Sequence, residues 1–196
     1  MAEILTDNEQ GKSANHDKLD ARPLFLAPTT EGKLNTISLD LQPVACVSLH
    51  DVLFEFDSSF VMPESKAMLA DIPGLREKHK SKKGEYPPLS VFGHADPVGD
   101  DTYNKILSGR RSKAIYGLLI KDPAVWDSLY SSPHGGDNWQ QKNAVKTMAA
   151  ATGKPESTTR KDLMKAYMDF LCPFTLTKAD FLGKGGDAGG RADYQG

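Results

Sequence analysis

The sequence predicts an α/β fold in which strands and helices alternate in the order β-α-β-α. Two segments predict the strands: residues 51–57 alternate apolar and acidic side chains, and residues 89–94 form a short apolar run. An apolar stripe at helical spacing lies between them, and another covers residues 107–119. A period of two indicates a half-buried strand, whereas repeats at three and four residues indicate a helix packed on a core.

The composition is that of an ordinary globular protein. The chain has 196 residues, of which 26% are charged and 39% hydrophobic, and its formal net charge is -2. This balance gives no electrostatic case for nucleic acid or an anionic membrane, since both favour a basic face. No apolar run approaches the roughly 20 residues that span a bilayer, and no secretory signal is visible. We expect a cytosolic chain, non-classical export, or a chain from which a signal was removed.

The N-terminal part is predicted to add one flexible segment and an extra strand to the core. Residues 1–35 are polar with little periodicity, which is typical of a flexible arm. Ile37, Leu39 and Leu41 then alternate with polar residues and predict a strand, and the run 44–49 predicts another.

The first core strand is predicted at residues 51–57. Val52, Phe54 and Phe56 share one face of this segment, and Asp51, Glu55 and Asp57 lie on the other. Such alternation indicates a strand with one face buried.

A helix is predicted between the two core strands. Pro63 marks its first turn, because proline is tolerated there. Pro73, followed by glycine, should kink or split the helix. The basic run 78–84 is most simply a solvated helix end, although its charge could also contact an acidic polymer.

The second core strand is predicted to end at Asp96, and the next helix to restart at Ser108. Serine is a favoured N-cap, and a restart there places Arg111 in the first helical turn. An unbroken helix from Thr102 would instead carry Arg111 roughly 13 Å from the turn, at 1.5 Å per residue. A carboxylate beside a guanidinium suits a ligand that carries both an ammonium and a carboxylate.

The C-terminal third is predicted to be helical. Helices are expected over residues 124–130, over 138–152 with a stop at Gly153, and from a cap at 157–159 to Leu171. A flexible glycine-rich tail follows. The predicted organisation is an arm (1–35), a core domain (36–122), a helical extension packed on it (123–182) and the tail (183–196).

Four short motifs carry a family resemblance. They are Phe54-Glu55-Phe56-Asp57-Ser58, Gly93-His94-Ala95-Asp96, Tyr103-Asn104 and Leu107-Ser108-Gly109-Arg110-Arg111. Together, at this order and spacing, they are fairly specific. Over roughly residues 46–122 the chain resembles the OmpA-like peptidoglycan-binding domain family. The resemblance implies an α+β two-layer sandwich with an OmpA-like core, an extra N-terminal strand and an atypical helical C-terminal extension.

The resemblance implies a non-catalytic domain that binds the stem peptide of peptidoglycan through meso-diaminopimelate. By motif matching, Asp96 and Arg111 hold the amino-acid end of this residue, Asn104 lines the pocket, and Ser59 makes another polar contact. Ala95 stands where the family usually has threonine, so one hydroxyl contact is lost. No cofactor or metal is expected. The predicted ligand-binding residues are Ser59, Ala95, Asp96, Asn104, Leu107, Arg110 and Arg111.

The resemblance also predicts a location in the cell envelope or periplasm. In one further respect this chain departs from the family pattern. The family usually closes its sheet with a final strand soon after the second helix, and this chain has no such strand there. We expect residues 36–49 to supply the missing sheet partner.

Three functions of different classes remain open. The first is anchoring of a protein or assembly to the cell wall. The second is a component or cargo of a bacterial secretion or contractile injection apparatus, which uses the fold for protein docking. The third is an envelope glycan hydrolase, because Glu55 and Asp57 are paired carboxylates.

Residue type alone suggests two further sites. A metal site that combines His94, Asp96 and either His50 or His134 has no supporting spacing. The two cysteines of the chain, Cys46 and Cys172, could form a disulfide, but their apolar neighbours favour two buried thiols.

Overall fold

The computed structural model describes residues 2–5, 24–25, 36–37, 46–49, 53–95, 98–183, 185–186 and 192–196. The chain divides into two compact units, residues 7–45 and residues 1–6 with 46–196. The elements in chain order are β1 (Ala2–Leu5), β2 (Leu24–Phe25), β3 (Thr36–Ile37), β4 (Cys46–Leu49), α1 (Ser65–Leu69), α2 (Ile72–Lys78), β5 (Val91–Gly93), α3 (Asp101–Leu119), α4 (Pro123–Ser131), α5 (Ala144–Thr152), α6 (Arg160–Leu171) and β6 (Tyr194–Gln195).

The main sheet has the order β4-β1-β5-β6 among the described residues. Strand β1 pairs antiparallel with β4 and β5, whereas β5 and β6 run parallel. The structure combines helices and strands around a small open sheet, which confirms the predicted α/β fold class. Strand β1 falls within the expected flexible arm, and β6 within the expected flexible tail. Both are too short for a periodic signal, and their pairing partners lie far away in the sequence.

The proposal that residues 36–49 complete the sheet is correct only for their last part. Strand β4 lies at one edge of the main sheet, whereas β3 pairs with β2 inside the smaller unit. Leu39 and Leu41, which predicted a strand, lie outside the described residues. The partner on the other side of β5 is β6.

The strand predicted over residues 51–57 is wrong, because the chain folds back on itself at Asp57. Asp57 adopts a left-handed backbone (φ 50°). The Glu55 amide donates to the Phe60 carbonyl at 3.0 Å, and the Met62 amide donates to the Leu53 carbonyl at 2.8 Å. Residues 53–62 therefore form a tight hairpin, called here the 53–62 hairpin. Residues 51 and 52 lie outside the described residues.

Helix α3 runs without a break from Asp101 to Leu119, so the predicted restart at Ser108 is wrong. The Asp100 side chain caps the helix and accepts from the Tyr103 amide at 2.7 Å. The Ser108 hydroxyl donates to the Lys105 carbonyl at 2.8 Å within the helix. Serine can bond to the preceding turn in this way, so its presence does not require a new helix start.

The predicted helix between the core strands is confirmed as split, into α1 and α2, with Pro73 in the first turn of α2. Pro63, predicted in the first turn, instead precedes the Glu64 cap of α1. The three C-terminal helices are also confirmed, although α5 begins at Ala144 rather than at residue 138. Turns occupy 139–143, where Asn143 has a left-handed backbone (φ 56°). Helix α6 begins after its predicted cap, with the Thr159 side chain accepting from the Asp162 amide.

The C-terminal helices share one core with the hairpin and α3. Fully buried Phe60 lies against the rings of Trp139 and Tyr167, at centroid distances of 5.3 and 5.9 Å. The Trp126 indole donates to the Ala114 carbonyl of α3 at 2.8 Å, and the Tyr167 hydroxyl donates to the Val61 carbonyl at 3.0 Å. None of the described helices combines the length and apolar character that a bilayer crossing requires.

Candidate functional site

A cleft of about 650 Å³ opens between the 53–62 hairpin, the residues after β5 and the first three turns of α3. Its wall is mixed, with aromatic and aliphatic side chains beside two carboxylates and a guanidinium. We call it the α3 cleft. Its lining residues are Phe54, Phe56, Asp57, Ala95, Val98, Gly99, Asp100, Tyr103, Asn104, Leu107 and Arg111.

Arg111 supplies the positive charge of the cleft. Its residue is only 8% exposed. Its Nε donates to the Ser58 carbonyl at 2.9 Å, and its guanidinium carbon lies 5.0 Å from the ring centroid of Phe54. A guanidinium stacked on a ring and bonded through Nε has a fixed plane, which is the geometry that carboxylate recognition needs.

The capping interactions of α3 form the rim of the cleft. The Asn104 amide nitrogen donates to the Val98 carbonyl at 3.1 Å and ties the preceding loop to the helix. The Asp100 cap fixes the first turn. Gly99 has a positive φ of 112°, a conformation that favours glycine. Residues 98–100, which lead into α3, are therefore held by the Asp100 cap and by the Asn104 side chain of the helix.

Tyr103 connects the cleft to the C-terminal extension. Its hydroxyl donates to the Asp57 carboxylate at 2.5 Å, and its ring stacks on His134 at 5.7 Å. Burial raises the pKa of the Tyr103 phenol, and the Asp57 carboxylate raises it further. Tyr103 therefore stays neutral and acts as a hydrogen-bond donor at neutral pH.

A buried carboxylate, Asp137, lies behind the cleft in the loop between α4 and α5. Its Oδ1 accepts from the Ser58 hydroxyl and the Ser59 amide, each at 2.8 Å. Its Oδ2 accepts from the Ser59 hydroxyl at 2.7 Å and from the Nε of Arg110. The Trp139 indole also donates to the Ser59 hydroxyl, at 3.0 Å. We call this group the Asp137 cluster.

Asp137 is fully buried but ionised. Burial alone would raise the pKa of its carboxyl, but the Ser59 amide, the Arg110 guanidinium and the Ser59 hydroxyl outweigh it and hold the pKa below its usual value. A buried charge without such partners would be neutralised, because desolvation strongly disfavours it.

The structure divides the predicted ligand-binding residues into two groups. Ala95, Asn104, Leu107 and Arg111 line the α3 cleft. Ser59 and Arg110 do not line it, since their side chains bind Asp137 instead. Asp96 lies outside the described residues.

Sequence reasoning missed two residues that build the site. Tyr103 lines the cleft, and the only sequence signal for it was its place beside Asn104 in a quoted motif. Asp137 lies in a glycine-containing segment for which the sequence predicts only a connecting loop. A carboxylate whose partners lie 27 to 79 positions away leaves no local pattern.

The paired carboxylates, the metal-site residues and the cysteines are the remaining candidates. Asp57 lines the cleft with its carboxylate bound to Tyr103, whereas Glu55 does not line it. No group of three or more metal-ligating side chains occurs in the described part of the chain. His50 and Asp96 lie outside that part. Cys172 is a free, buried thiol, and burial raises its pKa.

Comparison with known proteins finds relatives among outer membrane proteins. Outer membrane porin F of Pseudomonas aeruginosa is 42% identical over 128 residues, which cover 64% of this chain and 33% of that protein. Outer membrane porin F of Pseudomonas fluorescens is 30% identical over 110 residues, covering 55% and 32% of the two chains. Outer membrane protein A of Escherichia fergusonii is 31% identical over 88 residues, covering 45% and 35%.

The chain thus spans about a third of the length of these relatives. No family model matches the sequence, and no solved structure matches it. The relatives confirm the family resemblance that the four motifs predicted.

Proposed function

We propose that this OmpA-like chain binds peptidoglycan without cleaving it, through the meso-diaminopimelate of the stem peptide, and anchors a protein or assembly to the cell wall. The outer membrane relatives support an envelope-associated protein in general. The single observation that carries the finer proposal is Arg111, a nearly buried guanidinium at the wall of an open cleft.

The chemistry of diaminopimelate fits the α3 cleft. One end of this residue carries an ammonium and a carboxylate, and the carboxylate would bind Arg111 through two parallel hydrogen bonds. In the proposal Asp96, next to cleft-lining Ala95, binds the ammonium. Phe54 and Leu107 provide apolar surface for the methylene chain of the ligand.

The direct test is binding to purified sacculi and titration with free meso-diaminopimelate. We expect Arg111→Ala to weaken binding by about 30-fold or more, because removal of one member of a buried charge pair costs about 2–5 kcal/mol. Asp96→Asn should also weaken binding, since the ammonium of the ligand would lose its charged partner. Arg111→Lys should also bind more weakly, since lysine lacks the planar fork.

Arg160→Ala is the matched control. Arg160 is an exposed arginine whose salt bridge is to Asp127, outside the cleft lining, so its loss should leave binding unchanged. Thermal unfolding must show that each variant is folded. Binding of folded Arg111→Ala at the wild-type level would refute the proposal. Release of soluble muropeptides from the sacculi would refute its non-catalytic part.

A further inference from the structure

We propose that Asp137 is a positioning residue of the α3 cleft, which fixes the direction of the Arg111 guanidinium through Ser58. The inference rests on the proposed function, because it concerns the same ligand site. It adds that the C-terminal extension, which supplies Asp137, is part of the binding site.

The first step is the hold of Asp137 on the backbone of the 53–62 hairpin. Asp137 accepts the Ser58 hydroxyl and the Ser59 amide on one oxygen, and the Ser59 hydroxyl on the other. The hydroxyl oxygen of Ser58 in turn accepts a hydrogen bond from the Phe60 amide at 3.1 Å. The turn of the 53–62 hairpin contains Asp57, whose φ of 50° is uncommon for a residue other than glycine. Such a conformation persists only where the surroundings hold it.

The second step leads from the turn to the cleft. Ser58 binds Asp137 with its hydroxyl and accepts the Arg111 Nε with its carbonyl, at 2.9 Å. Because Nε lies in the guanidinium plane, the position of this carbonyl sets the orientation of the two terminal nitrogens that grip a carboxylate. A displacement of Ser58 therefore rotates the ligand-binding fork.

The third step is the rigidity of the loop that carries Asp137. The His134 amide donates to the Asp137 carbonyl at 3.1 Å, and the Asp137 amide donates back to the His134 carbonyl at 3.0 Å. Arg110 joins this loop to α3, since its Nε binds Asp137 and its Nη2 donates to the Leu129 carbonyl at 3.0 Å. The two adjacent arginines thus have separate tasks: Arg110 holds Asp137, and Asp137 aligns Arg111.

The test compares wild type with Asp137→Asn and Ser58→Ala. Asparagine keeps the shape of the side chain but removes the charge and one acceptor oxygen. Ser58→Ala removes the hydroxyl bonds to Asp137 and Phe60 and keeps the carbonyl, so it remains informative if Asp137→Asn does not fold. Affinity for free meso-diaminopimelate is measured by titration, and the Arg111 Nε–H signal is followed by ¹⁵N-edited NMR.

The matched control is Leu163→Ala, a fully buried residue of α6 that makes none of these hydrogen bonds. We expect Asp137→Asn to lower the affinity by about tenfold and Ser58→Ala by several-fold, since loose support of a binding group is enough to weaken it. Both variants should shift or broaden the Arg111 Nε–H signal. Leu163→Ala should lower thermal stability but leave both the signal and the affinity unchanged.

The outcomes separate the two proposals. If wild type binds and folded Asp137→Asn binds equally well, the positioning role is refuted and the proposed function stands. If wild type does not bind meso-diaminopimelate or sacculi, the proposed function fails, and the Nε–H signal alone decides the positioning role. An Arg111 signal that is unchanged in Asp137→Asn and in Ser58→Ala refutes that role in either case.

Discussion

At the scale of single residues, Asp137 is the side chain on which most of the buried polar structure converges. Both of its oxygens are bonded, and its partners come from the 53–62 hairpin and from α3. Breaking a buried group of this kind costs more than removing one surface ion pair, because the remaining donors are left without acceptors. The stability of the fold is therefore sensitive to the ionisation of this one carboxyl group.

The pKa of Asp137 predicts a specific acid dependence of stability. Its pKa is lowered in the folded state, so its contribution is complete above the ordinary aspartate pKa of about 3.9 and is lost as pH falls through the folded value. We expect the wild-type protein to melt at a higher temperature than Asp137→Asn at pH 7. The difference between the two melting temperatures should become smaller as the pH falls. Melting curves over a pH series measure this, with exposed Asp101→Asn as the reference. A gap that widens on acidification would contradict the prediction.

At the scale of secondary-structure elements, the sequence predicted where most helices occur but not the long-range partners of their side chains. The helix that contains Arg111 was predictable, because its apolar stripe is a local feature. The prediction that Arg111 lies in a first turn was wrong, since Arg111 lines the cleft from about three turns into an unbroken helix. The unbroken course of α3 was not predictable, because Ser108 is equally compatible with a cap and with a helix interior. The family motifs predict Ser59 and Arg110 in the ligand pocket, since nothing local to these residues indicates Asp137 as their partner.

The N-terminal cap of α3 gives a prediction with an adjacent control. Asp100→Ala removes the acceptor for the Tyr103 amide and should lower the free energy of unfolding by about 1 kcal/mol. Asp101→Ala, one position later, removes only a favourable charge in the first turn and should cost less. Chemical denaturation compares the two. Equal losses would show that the cap bond contributes nothing specific.

At the scale of the whole molecule, β5 and α3 approach so closely that one position on the strand admits only glycine. A Cβ on Gly93 would lie 2.0 Å from the Ser108 carbonyl oxygen, which belongs to the backbone of α3. A Cβ on Gly109, the next residue of the helix, would meet nothing within 4 Å. The two glycine positions thus differ in how much space surrounds them.

This difference predicts opposite effects on stability. Gly93→Ala should lower the free energy of unfolding by about 1–3 kcal/mol or more, because either the strand or the helix must move. Gly109→Ala should be neutral or raise it by up to about 1 kcal/mol, since alanine is the better helix former. Urea denaturation of the two variants measures both effects. A stable Gly93→Ala variant would mean that the strand and the helix separate easily.

The parallel pairing of β5 with β6 has a consequence for how the protein is made. Val91 pairs with Tyr194, roughly a hundred positions later, and β1 reaches β5 across a similar separation. The ribosome must therefore have synthesised β6, which follows the glycine-rich segment, before all strands of the sheet can pair. Refolding from denaturant should accordingly take milliseconds to seconds, the range of about 10⁻³ to 1 s found where distant segments must meet, rather than the microseconds of a simple helical bundle.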